Sequence, residues 1–167
     1  QFSISLDYID GRHDEARGIP GLTAKIFRNA AIMRDRGIDN IRFNVVIKDN
    51  NFDQVIPIAE KAADMKCGVN LSVYTDAKNG NKSHLVREEQ FRAIDDLVRE
   101  ILAFKRRKRG VITNSDYYLE QIPRYVRGEM TEPCRSGLRT IHIDPTGHVK
   151  RCPDFPVDFH WTQFREY

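Results

Sequence analysis

Cysteine is scarce in this chain: three in 167 residues, too few for the disulfide framework of a small secreted domain. Long apolar runs are missing altogether. No stretch reaches the roughly 18 to 20 uninterrupted residues of a membrane helix, and no charged start followed by a short apolar segment suggests a secretion signal. Charge of one sign is also lacking. The 27 Lys and Arg against 24 Asp and Glu leave a formal charge of +3, too little for the electrostatic footprint of a nucleic-acid binder. These absences predict a cytoplasmic globular protein with neither membrane nor nucleic acid as partner.

One basic run is present, Lys105, Arg106, Arg107, Lys108 and Arg109. It closes what reads as a long helix, where cations meet the negative end of the helix dipole and solvent.

Strand and helix patterns alternate along the first two thirds of the chain. Residues 2–7 (FSISLD) read as a short strand, followed by a Gly-, Pro- and charge-rich stretch expected to be a loop or a broken helical turn. Leu22, Ile26, Ala30 and Met33 recur at helical spacing until Gly37. Residues 41–47 (IRFNVVI) are β-branched and predict a second, buried strand. Asn51 is the expected N-cap of a helix through Val55, Ile58, Ala59 and Ala62, with Pro57 inside its first turns. Residues 69–74 predict a third strand and residues 85–108 an amphipathic helix. This order favours βα units on a parallel sheet, with function at the carboxyl ends of the strands.

Past Val111 the pattern changes to short helical pieces, 115–120 and 122–127, with Ser115 as an N-cap. From about residue 131 a small unit follows. Residues 138–143 alternate, DPTG at 144–147 turns, and 148–152 return, which predicts a β-hairpin. The aromatic tail at 155–167 has no readable pattern.

Several residues could carry chemistry. Ser5 and Asp7 stand two apart at the end of the first strand, so period-two alternation points both to one side. A hydroxyl and a carboxylate there suit the hydroxyls and amino group of a cofactor, whereas Asp7 alone could equally cap the next turn. Arg17, in HDEARG, is suited to clamp a carboxylate; a surface salt bridge explains it as easily. Asn44 is the sole amide of a β-branched run, and once buried it must find partners. Cys134 and Cys152 flank the hairpin, each beside a proline. Their own chemistry leaves open an iron–sulfur cluster, a zinc site with His142 and His148, a disulfide, or two plain thiols. Cys67 reads as a core residue.

The string SISLD, a short loop, HDEARGIPG and, after a helix, IRFNVVI with a further strand and helix resembles strands four to six of the radical S-adenosylmethionine (SAM) partial barrel. The likeness runs through most of the chain. It implies that Ser5 and Asp7 lie against the ribose or amino-acid part of SAM, that Arg17 pairs with its carboxylate, and that Asn44 approaches the cofactor. Cys134-x12-Gly147-x4-Cys152 resembles the opening of the SPASM or twitch extension of such enzymes, in which a hairpin presents two cysteines to an auxiliary iron–sulfur cluster.

The fold expected is therefore α/β: the C-terminal half of a radical SAM partial (β/α)6 TIM-type barrel over 1–110, a helical linker over 111–130, and a small SPASM/twitch-like hairpin extension over 131–167. The resemblance implies a [4Fe-4S] cluster, SAM cleaved reductively to a 5′-deoxyadenosyl radical, and hydrogen abstraction from a peptide or small protein. It also implies a reductant such as ferredoxin or flavodoxin. Two departures bear on this. The CxxxCxxC motif that holds the reducing cluster is absent from the 167 residues, and so are the cysteines that would complete an auxiliary cluster after Cys152. The expectation is a fragment, inactive by itself, with an open sheet edge that promotes self-association. The competing class is a non-enzymatic α/β module with a zinc-held hairpin that binds nucleic acid or protein; an ordinary (β/α)8 enzyme fragment is a third.

Overall fold

The computed structural model describes residues 1–77, 80–129, 137–138, 140–152 and 157–166, with backbone only at 164–166. Chain contacts divide it into two units, 1–74 with 83–129, and 75–82 with 130–167.

The first unit is built on a three-stranded parallel sheet in the order β1 (Phe2–Ser5), β2 (Ile41–Ile47), β3 (Gly68–Val73). Sequence alternation sets the two faces. In β2, Ile41, Phe43, Val45 and Ile47 are buried, while Arg42, Asn44 and Val46 on the other face are only half-buried. Val69 and Leu71 of β3 join the buried face. They pack with Ala30 of α2 (Leu22–Asp35), Ile58 and Ala62 of α3 (Phe52–Asp64), Ile94, Ile101 and Phe104 of α4 (Phe91–Arg107), and Leu119 and Ile122 of α5 (Asp116–Val126). Phe43 meets Phe27 edge to face at 5.9 Å between ring centres, the arrangement that ring quadrupoles favour. The opposite face is polar: Ser5, Asn44 and Asn70 form one cross-strand row, with Ser3, Arg42 and Gly68 one row below.

A fourth segment runs beside β3. Val69 forms a parallel bridge with Ile112, and Asn114 then replaces the backbone ladder with its own amide. Its Oδ1 accepts from Leu71 N at 2.7 Å and its Nδ2 donates to Leu71 O at 2.8 Å. The loop predicted after the first strand contains a helix, α1 (Gly11–Arg17), begun by Asp10, whose side chain accepts from Arg12 N, and ended by Gly18 at φ 64°. The two short pieces expected after residue 115 form one helix, α5, with Pro123 inside it and Ser115 capping Tyr118 N as predicted.

In the second unit, β4 (His142–Ile143) and β5 (His148–Lys150) pair antiparallel across the turn at 144–147, and β6 (Phe159–His160) adds a third strand from the aromatic tail. A 3-10 helix at Trp161–Glu166 follows. Gly147 sits at φ 87°, and a Cβ there would lie 2.5 Å from Trp161 Cδ1 and 2.6 Å from His160 Nε2, so the tail seats directly on a turn that only glycine permits. Among the described residues no helix is long and apolar enough to cross a membrane.

Candidate functional site

The carboxyl ends of β1 and β2 are tied together by Asp7. Its carboxylate is almost fully buried; Oδ1 accepts from Val46 N at 2.9 Å and Oδ2 from Lys48 Nζ at 2.7 Å. The side chain takes over where the backbone ladder between the two strands stops. Asn51 completes the tie: it accepts from Lys48 N at 2.8 Å and donates to Val46 O and Asp7 O. Predicted as the N-cap of α3, Asn51 makes no side-chain cap bond to the helix. Its amide is fully buried and its donors are spent on strand carbonyls instead.

His13 stands behind this knot with 1% of its surface exposed, its Nδ1 accepting from Asp7 N at 3.4 Å. Burial, and then the nearby Arg17 cation, push its pKa below the usual 6.5, so the ring is neutral at pH 7. Its Nε2 is buried and makes no hydrogen bond. Asp14, the next residue, accepts from Thr23 N, Thr23 Oγ1 and Gly21 N at 2.8, 2.7 and 2.6 Å. It thereby caps α2, whose N-cap position holds a glycine. Bonding to Thr23 holds its carboxyl below the usual range.

In front of the knot opens a cleft of about 620 Å³ lined by Asp7, Tyr8, Arg12, Arg17, Lys48 and His84 among others. Arg12 is committed, bonded to Asp10 and to Asp53. Lys48 is committed to Asp7 and lies 5.5 Å from the Tyr8 ring centre. Arg17 differs. Its Nη2 is 3.6 Å from Asp7 Oδ2, an ion-pair approach but too long for a hydrogen bond, and its side chain is 43% exposed. Among the described residues it donates no hydrogen bond, so its fork is available to an oxyanion entering the cleft. His84, edge to face with Tyr74 at 5.5 Å, closes another side.

Of the residues singled out in the sequence, Asp7 and Arg17 meet in this cleft. Ser5 and Asn44 do not line it; they are cross-strand neighbours on the polar sheet face, where Ser5 is exposed and Asn44 half-buried. Cys152 follows β5 and is half-buried, whereas Cys134 lies outside the described residues. His142 pairs with Lys150 across the hairpin, and His148 meets His160 edge to face at 5.5 Å between ring centres. Among the described residues no three His, Cys, Asp or Glu side chains converge to hold a metal. Sequence reasoning missed Lys48, Tyr8 and His84. Lys48 stands just past the end of β2, where strand alternation no longer applies, so no periodicity in the sequence singles it out.

No family model and no curated protein matches the chain. Solved structures do. Streptococcus suis SuiB bound to S-adenosylmethionine matches 90% of this chain with a TM-score of 0.64 at 14% identity. The fold is shared with SuiB. A second SuiB structure matches 99% of the chain (TM-score 0.63, 13% identity), and SuiB bound to precursor peptide SuiA matches 94% (TM-score 0.63, 15% identity). The chain spans 36%, 45% and 39% of those three chains, less than half of each. At these identities the likeness is one of α/β fold.

Proposed function

We propose that this chain is the SAM-holding part of a radical SAM enzyme that modifies a peptide. The observation that carries the reading is Arg17, a cation with unspent donors in a polar cleft at the carboxyl end of a parallel sheet, in a fold shared with a protein solved with SAM. A second structure of that neighbour, with its precursor peptide, supports a peptide as the substrate class.

The residues fit SAM in kind. Arg17 would take its carboxylate through a forked contact. Asp7, with both oxygens engaged by Val46 N and Lys48, orients the end of β1 and keeps Arg17 close by charge. Ser5 and Asn44 offer a hydroxyl and an amide on the adjoining sheet face for the sugar or the rest of the cofactor. SAM held there would supply radical hydrogen abstraction, its one-electron reduction splitting off methionine, and the electron would come from a [4Fe-4S] cluster whose CxxxCxxC motif is not among these residues. Cys134 and Cys152 would be the ligands of an auxiliary cluster.

Calorimetric titration of SAM into the full-length protein tests the reading. Arg17→Ala should weaken binding by about tenfold or more, the loss expected for a charge-assisted pair. Arg28→Ala, on the exposed side of α2, should not. No binding of SAM, or equal affinity in both variants, would sink the proposal; a protein that instead carries zinc on its hairpin would bring forward the binding-module class.

A further inference from the structure

A second cationic cleft lies at the opposite end of the sheet. About 360 Å³ in volume, it is lined at the amino ends of β2 and β3 by Asp39, Asn40, Arg42, Lys66, Gly68, Arg109 and Thr113 among others. Asp39, its acidic member, is paired with Arg34 at 2.7 Å. Among the described residues, the side chains of Arg42, Lys66 and Arg109 make no ion pair or hydrogen bond. Three uncompensated cations on one small cleft repel each other unless an anion joins them.

Two details of the backbone favour a used site. Lys66 has φ 54°, and it is the one non-glycine residue with positive φ among those described. It ends α3, with Lys66 N donating to Ala63 O and Cys67 N to Ala62 O. The same left-handed position after α1, α2 and α5 is taken by Gly18, Gly37 and Gly128, which adopt it without steric cost. A lysine there keeps a strained backbone and gains a cation on the cleft. Gly68 shows the complementary feature: a Cβ would stand 3.2 Å from Arg42 Cγ and 3.3 Å from Thr113 Cγ2, so the missing side chain is what lets the Arg42 stem lie across β3.

We propose that this cleft binds a small oxyanion, a phosphoryl or carboxylate group, held by Arg42, Lys66 and Arg109. Guanidinium forks match the paired oxygens of such groups and lysine adds a point charge; the volume is at the small end of ligand sites. The site is separate from the Arg17 cleft and does not depend on the function proposed for it.

The test is titration of the full-length protein with inorganic phosphate and with glutarate at constant ionic strength, followed by calorimetry and by melting temperature. Saturable binding is expected, about tenfold weaker in Arg42→Gln and unchanged in the surface control Arg28→Gln. Lys66→Gly guards against a variant that merely fails to fold. It should melt about 2–4 °C higher without ligand, because the left-handed strain is gone, yet bind more weakly. Saturation by phosphate alone assigns a phosphoryl ligand, and saturation by glutarate alone a carboxylate. Absence of saturable binding by either, or affinity unchanged in both Arg42→Gln and Lys66→Gly, overturns the site.

Discussion

The two units are held together by different means. In the first, the sheet and four helices bury a continuous cluster from Leu6 through Phe43, Leu71 and Ile101 to Ile122. In the second, Val149 is the buried hydrophobic residue among those described, while Leu138, Ile141, Ile143 and Trp161 are each at least half exposed. Burial of apolar surface is the main stabilising term in folding. The first unit therefore has the physical means to hold its shape by packing, whereas the described part of the second leans on polar turn chemistry.

The largest effect should separate the two by core deletion. Phe43→Ala removes a fully buried ring and should cost about 3–5 kcal/mol, read as a lower midpoint of helical circular dichroism in urea. Ile143→Ala, at a side chain 52% exposed, should change stability by less than about 0.5 kcal/mol. Comparable losses from both would mean that the hairpin unit also has a packed core, and the contrast would fail.

The same difference explains what could be read from the sequence. β2 was legible to the residue because IRFNVVI alternates around a real core, and α3 because its apolar stripe has somewhere to pack. The stripe of α4 was legible too, but its start was not: the helix expected from residue 85 begins at Phe91, after a 3-10 turn at Glu88–Gln90. Local signals with no core behind them were weaker. α1 has seven residues, too short for a 3.6-residue period to declare itself, and its start and stop lie in Asp10 and Gly18. β6 is two residues long and carries no alternation to detect. At the site, period-two spacing was extended to Asp7, yet β1 ends at Ser5, so Asp7 turns across to Val46 N and leaves Ser5 on the sheet face. Arg17 was legible as a cation; that Lys48 rather than Arg17 neutralises Asp7 was not, because the contact joins residues 41 apart.

Acid should distinguish the units next. His13 has its pKa depressed by burial, so the unfolded chain takes up the proton more readily than the folded one. Its contribution to stability is full above the ordinary value of 6.5 and is lost as pH falls below it. The charges that act on the ring are those of Arg17, Asp7, Asp14 and Lys48. The helical signal of the first unit should thus lose urea resistance as pH falls below the ordinary histidine value of 6.5. His13→Gln, which does not titrate there, should flatten that slope. An unchanged slope in the variant would remove His13 from the account.

The smallest effect belongs to the hairpin turn. Asp144 accepts from Thr146 Oγ1 at 2.6 Å, Thr146 N at 2.9 Å and His148 N at 3.0 Å. The Thr146 hydroxyl, and then the His148 amide, bring its pKa down from 3.8 to about 2. A depressed carboxylate stabilises above its unfolded pKa and loses that contribution as pH falls through the folded one, so the turn should weaken between about pH 4 and 2. Trp161 is the single tryptophan of the sequence and its ring rests against Gly147, which makes its fluorescence a local reporter of the turn. Its emission should stay constant from pH 7 to 5, while the first unit is already weakening, and shift only below about pH 4. Asp144→Asn should abolish that late shift. An emission change in step with the His13 transition would show instead that the hairpin unit follows the stability of the first.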